Sequence, residues 1–208
     1  MPRRSKSSSR WLHEHHSDPF VHRARAEGWR SRAVFKLQEI DQKEKLLFPG
    51  ALCLDLGAAP GAWSQYAKRR VGAKGRVVAS DILPMEGITG VEFVLGDFRE
   101  EPVFNQIVGL VPAREVDVVL SDMSPNLSGM DAIDAPRTMH LVELALDIAE
   151  RVLKPEGCAL IKLFQGAGFQ EVVALSRRKF AKVKLCKPEA SRSRSPELYL
   201  LAKGFRLV

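Results

Sequence analysis

The stretch Asp-Leu-Gly-Ala-Ala-Pro-Gly-Ala-Trp-Ser-Gln, residues 55–65, constrains the fold more than any other part of the chain. It reads as a strand end, a tight glycine turn and a helix start. Pro49-Gly50 introduces the short apolar run Ala51-Leu52-Cys53-Leu54, which suits a strand buried on both faces of a parallel sheet. Gly57 and Gly61 permit positive φ and let another molecule approach the backbone closely, and Trp63, Tyr66 and Ala67 then take up helical spacing. A small molecule fits on such a turn. The dinucleotide version wants Gly-x-Gly-x-x-Gly, with N–H groups converging on a pyrophosphate. Here the glycines stand four apart and Pro60 removes a donor, so a ligand without phosphates is favoured.

Downstream the chain alternates regularly. Residues 76–79 predict a strand ending at Asp81, 91–95 a strand ending just before Asp97, and 116–120 a strand ending at Asp122, ahead of Met123-Ser124-Pro125-Asn126. A helix is expected over about 136–153, stopped by Pro155-Glu156-Gly157, and a fifth strand over 158–163 contains Lys162. Upstream, Ser31 is the expected N-cap of a helix whose apolar face is Ala33, Val34, Leu37 and Ile40. Lys36 flanks that face; a solvated helix lysine is the simpler reading of it. Strands alternating with helices at this spacing predict a single α/β domain with a doubly wound, mostly parallel sheet. Asp55, Asp81, Asp97, Asp122 and Lys162 then fall at or beside the carboxyl ends of successive strands, the rim where open α/β sheets bind ligands. One aspartate there is a turn residue; five ionisable groups are a site.

Lys162 is the hardest of these to explain structurally, because it interrupts an apolar strand expected to be central. A buried ammonium wants a carboxylate partner, and desolvation lowers its pKa toward the range useful for a base. The final strand begins at Glu197, which shares a face with Tyr199 and Leu201 and follows the basic loop Ser191-Arg192-Ser193-Arg194-Ser195-Pro196.

With 208 residues and 45% hydrophobic composition one domain with a full core is expected. Thirty-two Lys+Arg against 25 Asp+Glu, a net +7, suits a polyanionic partner, and nucleic acid comes first. Residues 1–30 carry Arg3, Arg4, Lys6, Arg10, Arg23, Arg25 and Arg30. The first ten at least have the composition of a disordered basic arm that finds phosphates, ahead of a domain over 31–208. Trp11, Phe20 and Trp29 interleave with these charges, with docking on the domain the simpler use of such aromatics. His13-Glu14-His15-His16 lacks the spacing of a metal site, and no metal is expected. The three cysteines, Cys53, Cys158 and Cys186, have neither C-x-x-C spacing nor an even count and read as reduced core residues. No run of 18 apolar residues occurs, so a cytoplasmic protein without a membrane segment is expected.

The turn over 55–65 resembles the S-adenosylmethionine (SAM) turn of Rossmann-like methyltransferases. The longer string resembles the FtsJ/RrmJ (RlmE) family of bacterial ribosomal RNA 2′-O-methyltransferases, from which Ala62 departs where the family usually has glycine. The likeness runs from about residue 8 to residue 203. It implies a Rossmann-like fold with an antiparallel last strand, SAM as cofactor, and a cofactor site drawing on Asp55, Gly57, Gly61, Trp63, Asp81, Asp97 and Asp122. It also implies a Lys-Asp-Lys-Glu tetrad at Lys36, Asp122, Lys162 and Glu197, with Lys162 as general base. Arg3, Arg4, Lys6, Arg10, Arg30, Arg32, Arg192 and Arg194 are the expected RNA contacts. The target implied is a uridine ribose in the A loop of 23S rRNA within the 50S subunit, modified by a monomeric enzyme. The alternatives are another RNA, such as transfer RNA or a cap, a small-molecule methyltransferase, or a non-catalytic ribosome-binding module. The basic segments speak against the small molecule, and the complete tetrad against the module.

Overall fold

The computed structural model describes residues 18–125, 130–192 and 195–207. Arg3, Arg4, Lys6, Arg10, Trp11, the His13–His16 cluster, Asn126 and Arg194 lie outside the described residues. Asp18 caps helix α1 (Pro19–Ala26) by accepting the Phe20 N–H at 2.9 Å, with proline in the first turn. Val21 and Ala24 of α1 are buried, and so is Trp29 beyond it. The two described aromatics of this segment dock on the domain: Phe20 lies 5.7 Å from Phe35 and Trp29 6.2 Å from Tyr66, centroid to centroid.

Helix α2 (Val34–Glu44) starts later than a cap at Ser31 predicts. The Ser31 hydroxyl accepts the Ala33 N–H at 3.3 Å, a local turn that competes with helix, and Ala33 is the residue before the first helical turn. Lys45, in the left-handed conformation at φ 54°, ends α2. The fully buried Asp41 secures this end: Oδ1 accepts the N–H groups of Leu46 and Leu47 at 2.8 Å each, and Oδ2 accepts from the Tyr66 hydroxyl at 2.8 Å and from Arg70 at 3.0 Å. That one carboxylate ties α2 to the next helix.

The remaining elements are β1 (Leu52–Leu56), α3 (Ala62–Val71), β2 (Arg76–Asp81), β3 (Val91–Leu95), α4 (Glu101–Leu110), β4 (Val116–Ser121), α5 (Asp131–Val152), β5 (Leu153–Phe164), α6 (Phe169–Lys179), β6 (Phe180–Cys186) and β7 (Glu197–Phe205). They form one seven-stranded sheet in the order β3-β2-β1-β4-β5-β7-β6. Strands β1 to β5 are parallel; β7, the last in sequence, runs antiparallel to both β5 and β6. Helices α1 to α3 share one apolar core with one sheet face, and α4 to α6 share a second core with the other. This is the expected doubly wound architecture. Strand order reverses at the β1/β4 boundary, the topological switch point where ligands bind.

Three differences from the sequence reading have local causes. Helix α5 begins at Asp131, five residues before Pro136, which it takes in near its start at the cost of one main-chain hydrogen bond. Residues 155–157 do not form a separate turn: β5 already starts at Leu153, and Glu156 at φ 66° accompanies a register shift between Val116 and Val118 of β4. Strand β6 is not among the expected strands, since Lys182 and Lys184 break its apolar pattern, as suits a sheet edge. Cys53 and Cys158 are buried, Cys186 is half-buried and all three are free. Among the described residues no helix is long and apolar enough to cross a membrane.

Candidate active site

Both turn glycines have the conformation expected of them: Gly57 lies at φ 73° and Gly61 at φ 105°. A Cβ on Gly57 would come within 2.4 Å of Met123 Cγ, so the turn after β1 packs on the segment after β4 across the switch point. Asp81, the last residue of β2, braces the turn by accepting the Ala59 N–H at 2.8 Å, and its second oxygen accepts the Leu83 N–H at 2.8 Å. Asp55 is fully buried near the end of β1 and receives the Ser64 hydroxyl at 2.6 Å; its other oxygen is buried without a partner among the described residues. Burial pushes the Asp55 carboxyl up to about 7, against the Ser64 hydrogen bond and helped by the charges of Asp122 and Asp81. Asp97, two residues past β3, is gripped by Arg99, which donates from Nε to both carboxylate oxygens at 2.9 Å and holds this carboxyl below its ordinary range. Trp63 donates its indole N–H to Ala33 O at 2.7 Å and lies 5.6 Å from the Tyr199 ring.

The four residues of the tetrad meet. In the β5/β7 ladder Lys162 stands opposite Tyr199, and Glu197 lies two residues earlier in β7 on the same face, within diagonal reach. Asp122 enters from the end of β4, and Lys36 from α2, packed over that face. Lys36 Nζ lies 2.7 Å from Glu197 Oε1; Lys162 Nζ lies 3.2 Å from Glu197 Oε2 and 3.3 Å from Asp122 Oδ1. The result is one chain of alternating charge, lysine to glutamate to lysine to aspartate, with every side chain less than a fifth exposed.

Two further side chains complete it, and sequence reasoning gave neither a role. The fully buried Tyr199 donates its hydroxyl to Asp122 Oδ1 at 2.6 Å, and its ring lies 5.8 Å from Lys36 Nζ. Ser191 donates to Glu197 Oε1 at 2.7 Å. The alternation that pairs Tyr199 with Glu197 on one face was the available signal for the tyrosine.

Burial opposes ionisation of Glu197, but Lys162, Lys36 and the hydrogen bonds from Lys36 and Ser191 outweigh it and hold the carboxyl down at about 2. Lys162 corrects the expectation that desolvation lowers it. Burial does act in that direction, yet Asp122 and Glu197 outweigh it, and the ammonium is held above its ordinary value. In the resting site Lys162 is a firmly protonated donor.

Of the arginines expected on RNA, three are described. Arg32 is bound internally, to the Asp18 carboxylate and the Ala190 carbonyl, with its guanidinium 5.6 Å from the Phe20 ring. Burial and the nearby charge of Arg192 hold Arg32 below its ordinary value, so two guanidiniums stand together beside Glu197. Arg30 donates to three main-chain carbonyls. Among the described residues no cluster of His, Cys, Asp and Glu is arranged to hold a metal ion.

The profile of the FtsJ-like methyltransferases matches residues 29–205, which takes in the glycine turn and all four tetrad positions. The chain belongs to the FtsJ-like methyltransferase family. As a member of that family it is a methyltransferase. It is 58% identical over 204 residues to the ribosomal RNA large subunit methyltransferase E of Legionella pneumophila (strain Corby), an alignment covering 98% of this chain and 99% of that one. A Xanthomonas oryzae pv. oryzae protein of the same name is 56% identical over 207 residues, covering 100% of this chain and 99% of its own length. Among solved structures, one described as a ribosomal RNA methyltransferase of Plasmodium falciparum superposes with a TM-score of 0.75 at 26% identity, over 85% of this chain and 98% of that one.

Proposed function

We propose that this FtsJ-like methyltransferase transfers the SAM methyl group to the ribose 2′-hydroxyl of a uridine in the A loop of 23S rRNA, within the 50S subunit. The observation that carries the reading is the charge chain Lys36–Glu197–Lys162–Asp122 on the rim beside the glycine turn. A basic chain and relatives named for large-subunit RNA support the substrate class.

The residues of the turn suit SAM. The positive-φ glycines leave the backbone open to close approach, and Asp55 holds a buried carboxyl oxygen in need of a donor. Asp81 retains lone pairs for a ribose diol on oxygens that each accept one N–H, while Trp63, Asp97 and Asp122 border the same rim. When bound, SAM supplies an electrophilic methyl group on a positively charged sulfur.

Lys162 is the proposed general base. With SAM bound, the Lys162 ammonium would meet the positively charged sulfur as a like charge, which would lower its proton affinity from the raised resting value. Substrate hydroxyls that draw on Asp122 weaken its hold on the ammonium in the same direction. Asp122, fixed by the Tyr199 hydroxyl, orients Lys162 and the attacking ribose oxygen. Lys36 and Glu197 set the local field, and proton removal of this kind contributes about 10²–10⁴ in rate. Arg192, Arg194 and the amino-terminal Arg3, Arg4, Lys6 and Arg10 are the proposed phosphate contacts, whereas Arg32 is already committed to Asp18 and Ala190.

The test is transfer of tritiated methyl from SAM to 50S subunits of cells lacking the modification, beside naked 23S rRNA, transfer RNA and 50S subunits already modified. Label entering only the unmodified 50S subunits is expected. Label in transfer RNA instead, or in nothing, would refute the assignment.

A further inference from the structure

We infer that Arg30 is a positioning residue for the methyl-donor site, clasping the loop between β2 and β3 onto the glycine turn. This rests on the SAM reading of that turn. Its Nη1 donates to Pro60 O at 3.0 Å and to Glu86 O at 2.6 Å, and Nη2 donates to Gly87 O at 2.8 Å. One guanidinium thus joins the turn after β1 to the loop over 82–90, which contains neither helix nor strand. The Arg30 backbone is itself fixed, with its N–H donated to Gln65 Oε1 at 3.0 Å and Gln65 Nε2 donating to Gly28 O at 3.3 Å.

Packing at Gly61 shows how closely the three segments meet. A Cβ there would lie 2.8 Å from Ile88 Cδ1, 2.9 Å from Arg30 Nη1 and 3.1 Å from Met85 Sδ, on a residue at φ 105°. The loop leaves β2 immediately after Asp81, so its path decides where Ile82 and Leu83, both more than half exposed, stand beside the ribose-binding position. Its far half borders open space of about 590 Å³ lined by Arg30, Gln65, Lys68, Arg69 and Ile88 among others, and Arg30 bridges that gap. The planar guanidinium presents its donors on separate nitrogens in a fixed fork that spans both segments, a geometry that the single nitrogen of a lysine ammonium does not reproduce. Donors directed at three carbonyls make Arg30 a poor phosphate contact, which separates it from the arginines around Arg192.

The experiment compares the full-length protein with Arg30→Ala and Arg30→Lys by calorimetric titration with SAM, by the salt dependence of RNA binding, and by hydrogen exchange over residues 82–90. Arg30→Ala is expected to weaken SAM binding by roughly tenfold or more and to speed exchange in the loop, with lysine restoring little. The slope of RNA affinity against salt should stay unchanged. Unchanged SAM affinity and loop exchange, with a salt slope reduced by about one ion, would overturn the clasp and make Arg30 an RNA contact. Should the unaltered protein fail to bind SAM, the reading of the turn falls, and loop exchange in the two variants still decides whether the clasp exists.

Discussion

Replacing Glu197 by glutamine removes the central negative charge of the tetrad while keeping its shape. Glu197 faces two ammonium groups, Lys36 at 2.7 Å and Lys162 at 3.2 Å, and accepts the Ser191 hydroxyl. Its carboxyl is held at about 2 against an ordinary 4.5, so the folded state favours the ionised form by about 3 kcal/mol. Glu197→Gln should therefore cost about 3 kcal/mol of stability at pH 7, in line with the loss of one partner from a buried ion pair. Because the folded pKa is depressed, that stabilisation is fully present above about 4.5 and is lost as pH falls toward about 2. Urea unfolding of both proteins from pH 7 down to 3 reads the effect as a stability gap that is constant above about 5 and narrows below it. A gap that stays the same over the whole range would show that Glu197 acts by packing and not by charge, and would refute the electrostatic account of the tetrad.

If Lys162 removes a proton, both Lys162→Arg and Lys162→Ala should lose roughly 10²–10⁴ in turnover while still binding SAM, since arginine keeps its charge but not its basicity. An arginine variant near full rate would leave Lys162 only an electrostatic role. With Lys162 held above its ordinary value in the free protein, kcat/KM should climb with pH into the lysine range or beyond, while the kcat profile of the bound complex breaks at lower pH; the reverse order would contradict the assignment. Asp55, raised to about 7, keeps its proton in the folded state after the unfolded chain has lost it, so stability should fall between about pH 4 and 7 in a way that Asp55→Asn abolishes; parallel melting curves for the two proteins would exclude it. Deleting residues 1–10 should flatten the salt dependence of RNA binding without changing SAM affinity, and an unchanged slope would take the arm off the RNA.

The rim was legible because its signal is positional. Asp81 and Asp122 stand at strand ends that apolar runs of four or five residues define, and Gly57 and Gly61 mark the turn whatever lies around them. What sits opposite these groups was less accessible. Tyr199 looks like one more apolar residue of β7, and its hydroxyl partner, Asp122, is 77 residues away. Lys162 reads as an interruption in a buried strand, which gives its desolvation but not its neighbours; two carboxylates reverse the direction of its shift. Arg30 is a basic residue among basic residues, and only the fold shows three carbonyls within its reach. The early helix start at Asp131 and the edge strand β6 escaped for related reasons. Proline reads as a helix start, and alternate lysines hide a strand that needs apolar residues on one face alone.

The most direct test of the central claim is where the methyl group goes. Unmodified 50S subunits are treated with SAM and the unaltered protein, and the 23S rRNA is digested with alkali, which cleaves only beside a free 2′-hydroxyl. The account predicts one methyl-bearing, alkali-resistant dinucleotide, carrying uridine of the A loop and absent with Lys162→Ala. Label recovered on a base, in alkali-sensitive mononucleotides, would contradict it.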